Sequence, residues 1–584
     1  MITSNINHAH SPFRYRSEPP DRQACLQLSK ELNIPYIHSV LLWQRGIKNS
    51  EKASSFFKPQ LAELPSPFLM KGMLKAVDLV LEANREQWPV YVHGDYDVDG
   101  ISGTALLAQF LRSINMEPVC YQPNRLTEGY GLQESFIEKY APENRKALLI
   151  TVDCGISAVN EVKLAKDEGY SVIVTDHHEP PEILPDADAI INPKQEGCSF
   201  PDDQLAGVGV AFFLAMGVRN TMVKQGITSK DNAPNLKQLL DMVALGTVAD
   251  VMPLTGINRI LVKAGLEVMN TRQSPWIWAL SERARIYGEK MTSEDISFRI
   301  SPRLNAPGRL GKPELSFELL ACNNTVKAME LADLLEKSNL ERRQIENESL
   351  SIVQEECDEQ EEAGCRGFVV HGQFHPGVIG ILASRIVDQF QKPIIIFTED
   401  VSMDNILKGS GRSVTDVNLY NVLHACSDCI IQFGGHAMAA GLTITKDNLP
   451  EFRNKFNMSI PEKTQTSEQV LKDQIIDYCL TGEEMFDENF IHFYRYFEPF
   501  GNGNPEPVFL LPSVKMDSAS TVRNHLKYTF KMNNTVCRGI GFGMSDKLNL
   551  VRNEHIQFAF KIKNYVFRGK ERTEMHAVNI IPTN

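Results

Sequence analysis

The chain has 584 residues, 42% apolar and 23% charged, with a formal net charge of −13. These values exclude disordered, collagen-like and disulfide-stapled chains, and at roughly 150 residues per domain the length predicts about four folding units. No apolar run approaches the ~20 residues of a membrane helix. The opening MITSNINHAHSPFRYRSEPP lacks the apolar core of a signal peptide, so a cytoplasmic protein is expected. The eleven cysteines form no framework and fit reduced thiols; Cys426 and Cys429 make a CxxC with no second pair and read as small buried thiols.

Residues 1–60 read as an N-terminal extension, with short amphipathic stretches broken by Pro19, Pro20, Pro35 and Pro59. From about residue 61 to 324 short apolar strands alternate with amphipathic helices. Pro89–Val92 feeds HGDYDVDG and a helix from Ser102 to Ile114. Ala147–Val152, Ser171–Val174 and Ala189–Ile191 are further strands. This pattern predicts an α/β fold with a parallel sheet covered on both faces. Residues 325–364 read as one long charged helix connecting two bodies. A second, smaller α/β unit follows at 365–457, with a strand at Phe368–Val370, a helix at Val378–Phe390, a strand at Ile394–Phe397, and glycine-rich turns at KGSGRS and FGGHAMAAG. Residues 458–584 carry short β-type runs (Tyr528–Met532, Ile540–Phe542, Ile556–Ile562, Ala577–Ile581) and predict a small OB-type antiparallel barrel.

Charge is unevenly distributed. Lys515 to Glu574 holds twelve Lys+Arg against five Asp+Glu, a local +7 that leaves −20 on the rest. In this module cations interleave with aromatics, as in grooves that track phosphates and stack bases. Strand alternation sends some of those rings into the barrel core. Arg523, Lys527, Arg568, Lys570 and Arg572 are the candidate nucleic-acid contacts.

The chemistry-bearing residues cluster at strand ends. His93, Asp95, Asp97 and Asp99 fall within seven residues after the first strand, Asp153 ends the second, and Asp176, His177 and His178 end the third. Parallel sheets place ligand sites at the carboxyl ends of their strands. Asp250, in ALGTVADVMPL, joins them as a carboxylate between apolar stretches, where an unpaired charge is costly. Carboxylates packed this densely stay ionised only around cations. Oxygen-rich, imidazole-containing and thiolate-free, the set suits Mn²⁺ or Mg²⁺, and its size predicts two ions. Asp176-His177-His178 without a GxSxG serine motif does not support a nucleophilic triad.

In order, the chain carries GDYDVDG, TVDCG, TDHH, LGTVADVMPL, SPRLNAPGRLG (301–311), HPGVIGILASR (375–385), SGRS (410–413) and GGHAMAAG (434–441). From about residue 60 onward it resembles the DHH phosphoesterases, and among them the RecJ family of single-strand-specific exonucleases. The resemblance implies a DHH domain, a connecting helix, a DHHA1 domain and an OB-type barrel. It implies 5′→3′ degradation of single-stranded DNA to 5′-mononucleotides, with Mn²⁺ or Mg²⁺, in recombination and repair. Asp97, Asp99, Asp153, His177 and Asp250 would hold the ions, with Asp153 bridging. His178 would face the scissile phosphate, and Asp95 and Asp176 would orient the ligands. Related two-metal phosphatases bind metal at the position of His93 and nucleases vary there, which leaves its role open. Arg125, Ser410 and Arg412 would contact the 5′-phosphate, with Arg303, Arg309 and His436 as further candidates. The implied partners are a single-stranded-DNA-binding protein and a RecQ-type helicase, with the chain acting as a monomer. The competing readings are an oligoribonuclease or nucleotide phosphatase of the same superfamily, which needs no third basic domain, and a non-catalytic replication scaffold, which would lack metal ligands.

Overall fold

The computed structural model describes residues 13–17, 20–142, 146–287, 290–400, 403–462, 474–482, 484, 488–532, 535–567 and 570–583. The sheet of the first α/β unit has five parallel strands in the order Val119–Tyr121, Val90–Gly94, Ala147–Val152, Tyr170–Thr175, Ala189–Ile191. All six residues of the central Ala147–Val152 are buried, as a parallel strand covered on both faces requires. The edge strand Val119–Tyr121 is only three residues long and gives no periodic signal. The first helix runs from Val98 to Ser113. It starts four residues before the expected Ser102 because Asp97, inside the acidic motif, caps it by accepting from the Asp99 and Gly100 amides.

The helix Thr325–Glu362 links this body to the next. It is more than a solvated connector. Ala328, Leu331, Ala332 and Leu335 belong to the core of the first unit, and Val353 and Cys357 belong to the core of the following unit. That unit has the sheet order Gln432–Gly435, Ala439–Thr445, Ile406–Arg412, Ile394–Glu399, Phe368–His371. KGSGRS, expected as a turn, is strand. Its glycines are there for lack of room: a Cβ on Gly409 would meet the Phe397 ring at 2.6 Å, and one on Gly411 the Ile395 side chain at 2.4 Å. FGGHAMAAG is likewise the hairpin between Gln432–Gly435 and Ala439–Thr445.

The C-terminal sheet has seven strands in the order Tyr478–Cys479, Phe509–Val514, Ile556–Phe567, Lys570–Pro582, Thr535–Gly541, His525–Met532, Ser518–Val522. Tyr528, Phe530, Phe558 and Phe560 fill its core. Arg523, Lys527 and Arg572 are exposed. Arg568 and the side chain of Lys570 lie outside the described residues.

The described residues of the expected N-terminal extension are part of this module. Helices Arg22–Leu32, Tyr36–Gln44 and Ser50–Phe57 bring Leu28, Leu41, Leu42 and Phe57 into one core with Phe490, Phe497 and Phe509. Phe13–Tyr15 pairs with Gln474–Ile476, and Arg16 reaches the buried Asp477 at 2.6 Å. The buried Arg259, on helix Gly256–Thr271 of the first α/β unit, donates to the carbonyls of Phe56, Tyr496, Phe497 and Glu498. One guanidinium thus ties three parts of the chain together.

Candidate metal centre and phosphate site

Three strands and one helix deliver acids and imidazoles to one point. Asp95, Asp97 and Asp153 can direct oxygens to within 4.8 Å of one another. Asp99, His177 and Asp250 do the same, as do Asp153, His177 and His178. The sets meet at Asp153 and His177, whose Oδ1 and Nε2 lie 3.0 Å apart. Among the described residues neither atom has a hydrogen-bond partner, although both are buried; the same holds for Asp95 Oδ1. Lone pairs that converge in a buried site without accepting a proton have the donor chemistry of a hard-cation site. The site therefore fits two divalent ions.

Local structure explains the convergence. Asp153 has φ 61°, and its amide is tied to Thr175 O. Both oxygens of Asp99 accept from the amides of Gly207 (2.6 Å) and Val208 (2.9 Å), at the positive end of helix Gly207–Lys224. Burial first, then the neighbouring carboxylates Asp99, Asp97, Asp95 and Asp250, pushes Asp153 well above the usual carboxylate range. Burial, Asp250 and Asp97 do the same to Asp99, and burial and Asp97 raise Asp250 to about 7. That mutual repulsion is what cations relieve.

Asp176 plays a different part. Its carboxylate accepts from the amides of Ile156, His177 and His178 and from His178 Nδ1 at 2.7 Å. Burial opposes its ionisation, but these hydrogen bonds outweigh burial and leave it below the usual carboxylate range. Burial also opposes the charge on His178, but the Asp176 carboxylate raises it to about 9. His177 is lowered to about 4 by burial and by the His178 charge, which keeps its ring neutral and able to ligate.

Two readings change here. Asp95, expected only to orient ligands, stands in a ligand set with Asp97 and Asp153. His93 belongs to no set among the described residues: its ring packs against Tyr121 and Phe136, with Nδ1 3.9 Å from Cys154 Sγ, and burial lowers it to about 4. The strand ends at Gly94, so His93 keeps its place in the packed layer beneath the sheet edge while Asp95 lies past that edge, in the loop that carries the ligands.

The candidate phosphate residues also separate. Ser410 and Arg412 stand two apart on one face of Ile406–Arg412. Both overlie Gly380 in the first turn of helix Ile379–Phe390, where a Cβ would meet Ser410 Oγ at 3.2 Å and Arg412 Nη2 at 3.3 Å. A helix N-terminus with serine and arginine is an anion site. Arg125 lies over the Tyr96 ring at 5.3 Å. Burial, then the charges of Arg125, Arg342 and Arg412, pushes Arg309 down to about 10. Arg309 also donates to Gly377 O across the junction between the two α/β units. His436 is exposed on the hairpin and lines a pocket with Tyr130, Asp176 and His178. Arg303 is committed elsewhere: it is paired with Glu336 at 2.5 Å and donates to the carbonyls of Arg299 and Arg283. The ion pair is formed by the connecting helix, which the local sequence does not reveal.

Sequence reasoning overlooked Gly207, which seats Asp99, and Arg342, which adds charge beside Arg309. It also overlooked Tyr130, whose hydroxyl bonds to Asp153 O and lies 3.2 Å from His178 Nδ1. A tyrosine between two glycines in TEGYG was the available signal for the last.

Comparison with known proteins agrees with this architecture. Residues 89–247 match the DHH family N-terminal domain, 365–462 the DHHA1 domain, and 476–579 the RecJ OB domain. The single-stranded-DNA-specific exonuclease RecJ of Haemophilus influenzae is 36% identical over 94% of this chain and 98% of its own length. That of Bacillus subtilis is 33% identical over 92% of this chain and 66% of its own length, so the chain spans about two thirds of that relative. A crystal structure of RecJ with Mn²⁺ from Thermus thermophilus superposes with a TM-score of 0.78 at 27% identity, covering 96% of this chain and 78% of that one. The order of the three domains, the identity across nearly the whole of a curated relative and the shared fold establish that the chain belongs to the RecJ family of DHH proteins.

Proposed function

We propose that this protein is a single-strand-specific 5′→3′ exonuclease that releases 5′-mononucleotides from DNA with two divalent cations, Mn²⁺ or Mg²⁺. The observation that carries the reading is that two ligand sets, joined where Asp153 meets His177, stand beside Arg125, whose charge acts on Asp95 and which neighbours Arg309 and Arg412. Asp95, Asp97 and Asp153 would hold one ion, and Asp99, His177 and Asp250 the other. When bound, such ions activate water for attack at phosphorus and neutralise charge on the leaving oxygen.

The protein's own residues do the rest. Arg125, Ser410 and Arg412 bind the terminal phosphate, with Arg309 adding charge behind them. This anchorage at one end gives the polarity. His178, held by Asp176, presents a charged imidazole N–H toward the scissile phosphate. The exposed cations Arg523, Lys527 and Arg572 of the barrel hold the trailing strand. A single strand passes between the α/β units, whose approach is so close that a Cβ on Gly377 would sit 2.0 Å from Arg309 O. Support for a single-stranded-DNA-binding protein and a RecQ-type helicase as partners rests on the family alone.

A long strand labelled at its 5′ or its 3′ end tests this. Immediate release of mononucleotide from the 5′ label, with the 3′ label persisting on shortening strands, is expected, as is loss of both with chelator or in Asp153→Ala. Cleavage of dinucleotides but not long strands would favour the small-substrate enzymes. Absence of both cleavage and bound metal would favour a scaffold.

A further inference from the structure

We infer that Tyr130 is a positioning residue that couples recognition of the strand's 5′ end to the orientation of His178. This rests on the exonuclease reading above and adds to it.

Arg125 and Tyr130 belong to one braced loop. Asn124 Oδ1 accepts from the Leu126 amide, and Asn124 O accepts from the amides of Thr127, Glu128 and Gly129. Glu128 closes the loop, accepting from the Asn124 amide at 2.7 Å, the Tyr121 hydroxyl at 2.6 Å and Ser135. Asn124 Nδ2 fastens the loop to Gly311 O. These bonds tie Arg125 and Tyr130 into one hydrogen-bonded loop. Arg125, the phosphate residue, projects from one end and Tyr130 from the other.

Tyr130 sits in a turn between Gly129 and Gly131, whose φ of 89° and 90° glycine adopts without strain. The residue is 52% exposed, and its ring meets Tyr96 edge-on at 6.5 Å while Tyr96 in turn lies under Arg125. Its hydroxyl is the informative part. A phenol has one proton, and here it is donated to the Asp153 carbonyl at 3.1 Å. Toward His178 Nδ1, 3.2 Å away, the oxygen is therefore an acceptor. The same Nδ1 faces Asp176 Oδ1 at 2.7 Å. One N–H is shared between two acceptors, one on the catalytic strand and one on the phosphate-binding loop. His178 thus has its ring plane set by both, and a shift of the loop as Arg125 engages a phosphate changes the second acceptor. Removing the hydroxyl leaves Asp176 as the one acceptor for Nδ1 and frees the ring to rotate about that single contact.

Tyr130→Phe keeps the ring and its contacts. Single-turnover and steady-state rates would be measured on single strands bearing a 5′-phosphate or a 5′-hydroxyl, with Mn²⁺ stoichiometry read by titration. The expected result is a kcat lower by about 10-fold, the lower range for residues that orient a site group, with KM for the phosphorylated strand and Mn²⁺ binding unchanged. The kcat advantage of the phosphorylated strand should also shrink toward unity. In a His178→Gln background, Tyr130→Phe should cost less than about twofold, because the two residues act as a unit. Unchanged kcat in Tyr130→Phe would overturn the inference, as would additive losses in the double variant. A rise in KM or a loss of Mn²⁺ with the end preference intact would assign Tyr130 a merely structural role and equally overturn it. If the wild-type protein itself does not degrade 5′-phosphorylated strands, the exonuclease reading fails, a result distinct from any of these.

Discussion

Gly207→Ala should cripple the enzyme without altering any candidate ligand. Gly207 opens the helix Gly207–Lys224 and packs on Asp153. A Cβ there would lie 2.6 Å from Asp153 Cβ and 2.9 Å from its Cα, where ordinary contact begins at 3.4 Å. These atoms belong to the root of the residue and cannot swing aside, so helix and loop must separate by roughly 1 Å, and a 1 Å misplacement at a reacting centre costs about 10²-fold in rate. Asp153 has little slack, with φ 61° and its amide bonded to Thr175 O. The same movement stretches the 2.6 Å bond from Gly207 to Asp99 Oδ2, loosening both ligand sets at once. The packing itself costs about 1–3 kcal/mol. Gly209→Ala is the control. Two residues along the same helix, its Cβ would meet only Leu205, at 3.6 Å or more, and exchange of glycine for alanine within a helix stabilises by about 0.5–1 kcal/mol. Initial rates on a 5′-labelled strand, Mn²⁺ titration and Tm would be compared for the three proteins. Activity of Gly207→Ala within about threefold of wild type, with equal Mn²⁺ affinity, would refute the reasoning.

Other outcomes follow from the same geometry. Asp250 has its folded pKa raised to about 7; a raised value means that its contribution to stability is present below its unfolded pKa of about 4 and is lost as pH climbs to about 7. In chelator, thermal melts should therefore show a decline over that window that Asp250→Asn flattens, while Mn²⁺ should reverse its sign. Arg412→Ala should raise KM for 5′-phosphorylated strands by about 10-fold or more, as loss of a charge-assisted phosphate contact of about 1.5–3 kcal/mol requires. Arg303→Ala, which breaks the pair with Glu336, should lower Tm and leave KM within twofold, as parallel kinetics and calorimetry would reveal. Arg259→Met empties the node where four carbonyls, one from Phe56 and three from residues 496–498, converge; leaving buried acceptors unpaired at about 1–3 kcal/mol each should lower Tm by several degrees and expose the 496–498 segment to protease.

What the sequence determined was local. Apolar runs such as ALLITV, alternating with amphipathic helices, read as buried parallel strands, and acids placed directly after such strands emerge at the carboxyl edge of the sheet. That places Asp95, Asp97, Asp99, Asp153, Asp176 and His177 together before any coordinates are known. Alternation along the C-terminal strands likewise implied that some rings fill the core, and the structure shows these to include Tyr528, Phe530, Phe558 and Phe560. What only the tertiary structure decided depended on partners distant in the chain. His93 and Asp95 differ by two positions, yet one faces Tyr121 and Phe136 and the other the ligand set. Arg303 and Arg309 sit in one motif, but the connecting helix supplies Glu336 to the first, and the second is left beside Arg125, Arg342 and Arg412. KGSGRS reads as a turn because glycine disfavours strands, and it is a strand because Phe397 and Ile395 fill the space its side chains would need. The first sixty residues show no reason in their own composition to bind the last hundred; that union exists because each exposes an apolar face that the other buries.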